Sequence, residues 1–139
     1  MIGLTMTGLV HYVSPLDPDK GTENETRFQL GSIDRATMAR IMDKALVFTQ
    51  SDTDANGSSQ VRMNEVNYDL VRAGLRGWTN FKDAEGNDIA FATVREASYG
   101  RMRDMVSHEC MDRLSMELIT DLARKINELN SLTKAAVKN

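Results

Sequence analysis

The stretch Val66-Asn67-Tyr68-Asp69-Leu70-Val71-Arg72-Ala73-Gly74-Leu75-Arg76-Gly77-Trp78 changes rhythm along its length. Val66, Leu70 and Ala73 recur at helical spacing, and Tyr68, Val71 and Leu75 form a neighbouring stripe, so this segment predicts a helix buried on two adjacent sides. Asn64 is placed to cap its start, and Gly77 suits the left-handed residue that closes a helix. From Trp78 to Phe91 the pattern turns aromatic and β-prone around Asp83-Ala84-Glu85-Gly86-Asn87, which predicts a hairpin turned on Gly86. A helix that gives way to a hairpin within one short run makes the chain α+β.

Working outward, Asp34 is placed to cap a helix to about Phe48, with Met38, Ile41, Met42, Ala45 and Leu46 on one stripe. Upstream, Ile2, Leu4 and Met6 alternate with polar or small residues, and Leu9 to Val13 is rich in strand formers. Arg27 to Leu30 alternates again beyond a polar loop from Asp17 to Thr26, so the two runs are expected to pair as an antiparallel hairpin. Downstream, Thr93-Val94-Arg95-Glu96 has the form of a capping box and predicts a helix to about Val106. Ser115 can cap the last helix, where Leu118, Ile119, Leu122, Ile126 and Leu129 share one face opposite Glu117, Asp121, Arg124, Lys125 and Glu128. An isolated helix of this length is marginal in water, so that stripe must dock on the rest of the chain or on a partner.

The expected architecture is a single α+β domain over residues 1–139, two β-hairpins packed with about four helices. Strands occupy 1–33, two helices 34–77, a hairpin 78–92 and C-terminal helices 93–131. Residues 132–139 form a tail in which Thr133 could cap one short turn. Trp78, Phe81 and Phe91 are expected to anchor the core.

The 139 residues include 17 basic and 20 acidic side chains, a net charge of −3. Signs are interspersed, which argues against a polyanion or anionic membrane as ligand. The tightest basic cluster, Arg95, Arg101 and Arg103, is broken by Glu96 and Asp104 and is expected on a solvated helix face. The single cysteine, Cys110, excludes an intrachain disulfide and suits a reducing compartment. No apolar run approaches the roughly 18 residues that span a bilayer.

Two local patterns raise the question of a metal. Asp52, Asp54 and Asn56 with Gly57 match the first half of a calcium loop. Met63 stands where a closing bidentate Glu is required, so a polar turn is the expected reading. His108, Glu109 and Cys110 are adjacent, but helical neighbours point about 100 degrees apart, which suits neither zinc nor a Cys-His nucleophile. With no phosphate loop, nucleophile elbow or metalloprotease helix in the sequence, no catalytic residue, metal or cofactor is assigned. Met102, Met105, Met111 and Met116 lie close together, and unbranched thioethers either fill a core or repack against varied partners. Together with Leu118, Leu122, Ile126 and Leu129 they are the candidate partner-binding residues.

Tyr68 to Trp78, then Asn80-Phe81-Lys82-Asp83-Ala84-Glu85-Gly86-Asn87 and Phe91, resemble a signature of small tailed-phage proteins of the tail assembly chaperone-like kind. The shared form is a helix ending in Gly-Trp, a hairpin turning on Asp-x-x-Gly and a C-terminal helix. Leu118-Ile119, Leu122-Ala123, Ile126, Leu129-Asn130, Leu132-Thr133 and Lys138-Asn139 are also similar, and Thr22 to Leu30 with Arg27-Phe28 agrees more loosely. The resemblance implies a non-enzymatic protein of the host cytoplasm that binds the tape measure protein and recruits tail tube subunits. A virion component, such as a head-tail connector, tail or capsid-decorating protein, and an inhibitor of a host defence enzyme are the rival readings. Self-association stays open in each.

Overall fold

In the computed structural model, residues 8–50, 56–98 and 101–138 are described, with side chains over 8–45, 62–97 and 101–131. The expected strand at Ile2 to Met6 and the calcium-like positions Asp52 and Asp54 lie outside the described residues, as does the side chain of Asn56.

Strands β1 (Val10–Tyr12), β2 (Arg27–Leu30) and β3 (Leu75–Thr79) form an antiparallel sheet in the order β1-β2-β3. Pairing of Tyr12 with Phe28 and of Phe28 with Trp78 carries the aromatic residues onto one face. As the central strand, β2 buries Phe28 and Leu30 almost completely. Register shifts along β3, where Gln29 faces Gly77 but Leu30 faces Leu75, so Arg76 is the extra residue of a bulge.

Helix α1 (Arg35–Gln50) begins where Asp34 accepts the Thr37 backbone N–H at 3.0 Å. Helix α2 (Asn56–Gly74) starts well before the expected cap at Asn64 and ends three residues before Gly77. Gly77 lies within β3 instead, opposite Gln29, where a Cβ would meet the Gln29 Oε1 at 3.0 Å. The turn on Gly86 is present: its φ is +85°, and Asp83 Oδ1 accepts from the Glu85 and Asn87 amides at 3.0 and 2.9 Å. Its ladder is minimal, one bridge between Lys82 and Asp88, because Trp78 and Thr79 pair with β2.

The expected helix over residues 93–106 is a correction. Strands β4 (Thr93–Ser98) and β5 (Arg101–Val106) form a second, two-stranded antiparallel sheet. The six positions of β4 pair in order with the six of β5, a partnership across the chain that the capping-box reading passed over. Thr93 and Val94 favour strand, and Gly100 would weaken a helix by about 1 kcal/mol.

Helix α3 (His108–Met111) is capped by Ser107, whose Oγ accepts from the Cys110 amide at 3.2 Å. In α4 (Met116–Lys138) Ser115 Oγ accepts from the Leu118 amide at 3.1 Å, as the sequence predicts. The helix continues to Lys138 with no break at residue 131, so the separate tail is also corrected.

Helix α2 packs on α1, α4 and β5. One core joins β2, α1, α2, β3, the end of β5, α3 and α4 through residues such as Leu30, Val71, Val106, Met111, Leu122 and Ile126. Trp78, Phe81 and Phe91 pack at its edge with Phe28, Trp78 lying 4.8 Å from Phe81 and 4.9 Å from Phe91. All the close contacts are edge-on, the geometry that aromatic quadrupoles favour. The Trp78 indole N–H donates to the Ile89 carbonyl at 2.7 Å, which ties the Gly86 turn to the sheet. No helix among the described residues is long and apolar enough to cross a membrane.

Candidate interaction site

A two-stranded hairpin is marginal by itself, so β4–β5 needs a support from the body. Arg72 on α2 is the chief one. Its guanidinium, buried to all but 7% of its surface as a residue, donates from Nε to the Val106 carbonyl at 2.8 Å. Nη1 and Nη2 each reach a separate oxygen of Glu96 at 3.0 Å. This two-pronged bond holds the Glu96 carboxyl below the ordinary Glu range. On β5, Arg103 reaches Asp34 at 2.6 Å. Burial pushes the Asp34 carboxyl up, but the hydrogen bond from the Thr37 backbone N–H and the charge of Arg103 prevail and hold it low.

A further ion pair of the hairpin faces outward. Arg95 meets Asp104 directly across the ladder at 3.3 Å, with both side chains mostly exposed. Val94 and Met102 are 40% and 54% exposed, which leaves large apolar groups on an arm whose two strands pair only with each other among the described residues. The basic cluster therefore divides: Arg103 turns inward to Asp34, while Arg95 stays at the surface with Asp104.

Two hollows flank the arm and share Thr37, Arg103 and Met105. The smaller, about 120 Å³, lies against α1 and α2 with Arg40, Lys44, Asp69, Arg72 and Glu96. The larger, about 560 Å³, is walled by Ala73, Leu75, Phe91, Met102 and Met105 and carries Arg76, Asp34 and Asp104. Sequence reasoning missed Arg72 and Arg76. Arg72 stands beside two apolar stripes of α2 with no periodic mark, whereas Arg76 had one faint signal, a charge between Gly74 and Gly77 at a helix end.

The candidate partner-binding residues separate by burial. Met111, Leu122 and Ile126 are in the core, at 1%, 0% and 0% exposure, so the folded chain does not offer them to a partner. Met105, Leu118 and Leu129 are half-buried against that core. Met102 and Met116 are open, the latter beside Tyr68 in a shallow apolar hollow. The stripe on α4 thus docks on the domain itself, which corrects its place among candidate contacts.

His108 and Glu109 are exposed while Cys110 is buried, accepting from the Ala92 amide at 3.3 Å and donating to the Ala90 carbonyl at 3.4 Å. The His108 Nδ1 lies 2.7 Å from the Tyr68 hydroxyl. Among the described residues no three His, Cys, Asp or Glu side chains converge to hold a metal ion. No protein-family model, curated protein or solved structure matches the chain.

Proposed function

We propose that this protein is a non-enzymatic morphogenesis factor of a tailed phage, tail assembly chaperone-like, that works by holding other phage proteins. The β4–β5 arm and the clefts beside it form its grip. The observation that carries the reading is the arm itself: it pairs with no other strand among the described residues and exposes Val94 and Met102. Large apolar side chains displayed on a supported surface arm suit partner binding. The tape measure and tail tube as partners follow from the resemblance of residues 68–91 and the C-terminal helix.

Assembling and finished particles from infected cells test this. The chain should copurify with tape measure and tail tube proteins in immature tails and be missing from mature particles. Many copies per mature virion would replace the chaperone reading with that of a structural component, and recovery with host enzymes alone would favour the inhibitor.

A further inference from the structure

Arg76 is built into the chain in an unusual way. The β-bulge makes it the unpaired residue of β3 and turns it out of the ladder. Gly31 gives it room: a Cβ there would meet the Arg76 Nε at 2.9 Å and its Cγ at 3.1 Å. One guanidinium nitrogen donates to the Ala73 carbonyl and the other to the Ser32 carbonyl, the latter at 2.6 Å. Both partners are neutral. Among the described residues no carboxylate comes within ion-pair distance of Arg76, in contrast to Arg72, Arg95 and Arg103. Desolvation pulls its pKa below the ordinary guanidinium value, with Asp34 and Asp104 opposing from farther away. Arg76 is exposed, and an oriented surface arginine whose guanidinium finds only carbonyls retains N–H donors for an anion from outside.

We infer that Arg76 anchors a docking cleft for an acidic side chain of a partner protein, a glutamate or aspartate flanked by apolar residues. The inference rests on the protein-binding reading and names the site and partner chemistry within it. The walls decide the class of anion. Leu75, Phe91, Met102 and Met105 suit the aliphatic or aromatic neighbours of a carboxylate in a peptide. Asp34 and Asp104 line the same cleft, each paired with an arginine of the arm, and the negative charge they retain would repel a doubly charged phosphate more than a single carboxylate. A net charge of −3 for the whole chain also disfavours a nucleic-acid backbone.

The test is an NMR titration of the isotope-labelled full chain with three probes: the blocked tripeptides acetyl-Leu-Glu-Phe-amide and acetyl-Leu-Gln-Phe-amide, and inorganic phosphate. The Glu peptide should move the Arg76 Nε–H signal and the amides of Thr93, Met102 and Met105, and bind about tenfold tighter than the Gln peptide. Arg76→Gln should abolish that preference. Should this variant fail to fold, Arg76→Lys, which keeps charge without the planar fork, should weaken the Glu peptide about threefold or more and leave the Gln peptide unchanged. Equal binding of the two peptides, tighter binding of phosphate, or shifts confined to other surfaces would overturn the inference. Capture of phage partners from infected cells separates the two levels. Equal capture by the parent chain and Arg76→Gln sinks the cleft and leaves the assembly reading. A Glu-peptide preference without any phage partner does the reverse.

Discussion

Asp121 on α4 accepts hydrogen bonds from Tyr12 at 2.8 Å and Ser14 at 2.7 Å, and Arg124 joins both Asp121 and the Tyr12 hydroxyl. This knot ties the strand β1 region to the last helix. Burial pushes the Asp121 carboxyl up, but the hydrogen bonds from Ser14, Tyr12 and Arg124 outweigh it and the folded value lies below the ordinary Asp range. Its stabilisation is therefore present above the unfolded value of about 4 and is lost as pH falls through the lower folded value. The Tyr12 phenol moves the other way, raised by burial and then by Asp121. Its contribution is present below the unfolded value of about 10 and is lost as pH climbs through the folded one. Urea unfolding across pH should show both limbs. Asp121→Asn is expected to flatten the acid limb and Tyr12→Phe the alkaline one; a parent and variant with parallel acid limbs would remove the knot from this account. A second residue-level expectation concerns Gly74, where a Cβ would lie 2.7 Å from Cγ2 and 2.9 Å from Cδ1 of Ile126, a fully buried side chain. Gly74→Ala should cost about 1–3 kcal/mol by overpacking despite the better helix propensity of alanine, and an unchanged urea midpoint would show that Ile126 can yield.

At the level of elements, Arg72 and Glu96 tie the β4–β5 hairpin to the body of the domain. Glu96→Ala removes both prongs of the bond and leaves Arg72 with the Val106 carbonyl alone among its hydrogen-bond partners in the described residues. Glu96 is partly exposed, so the expected loss is modest, about 1–2 kcal/mol, and local. Hydrogen exchange should quicken over residues 93–106 while α2 and α4 stay protected; uniform acceleration would mean that the arm is part of the global unfolding unit. The same hairpin marks the limit of what the sequence discloses. Asp34, Ser115 and Gly86 were legible because a cap or a left-handed turn is set by neighbours a few residues away. Thr93 to Glu96 satisfies a helix-start pattern equally well on paper, and its choice of strand is made by β5 across the ladder and by Arg72 on α2, both distant in sequence. Arg76 was opaque for a similar reason, since a bulge is a property of two strands and not of one.

Across the whole molecule, the three-stranded sheet has no core of its own. Phe28 and Leu30 of β2 belong to the same buried cluster as Leu122 and Ile126 of α4, with Leu70, Val71 and Ala73 of α2 between the ends of the sequence. Neither the sheet nor the last helix should therefore persist when the other is lost. Leu122→Ala opens a cavity at a fully buried position and is expected to cost about 2–5 kcal/mol, a large share of the roughly 5–15 that stabilises a domain. The decisive measurement compares two probes in one denaturant series: Trp78 fluorescence, which reports the sheet, and far-ultraviolet circular dichroism, dominated by the helices. Coincident midpoints that move together in Leu122→Ala follow from a shared core. Met102→Ser and Met116→Ser serve as surface counterparts, 54% and 56% exposed, and should shift neither probe by more than about 0.5 kcal/mol. Separate midpoints, with the fluorescence transition unmoved by Leu122→Ala, would mean that the sheet and the helices fold as independent units, and that α4 is held by the sheet less than the shared packing of Leu30 and Leu122 requires.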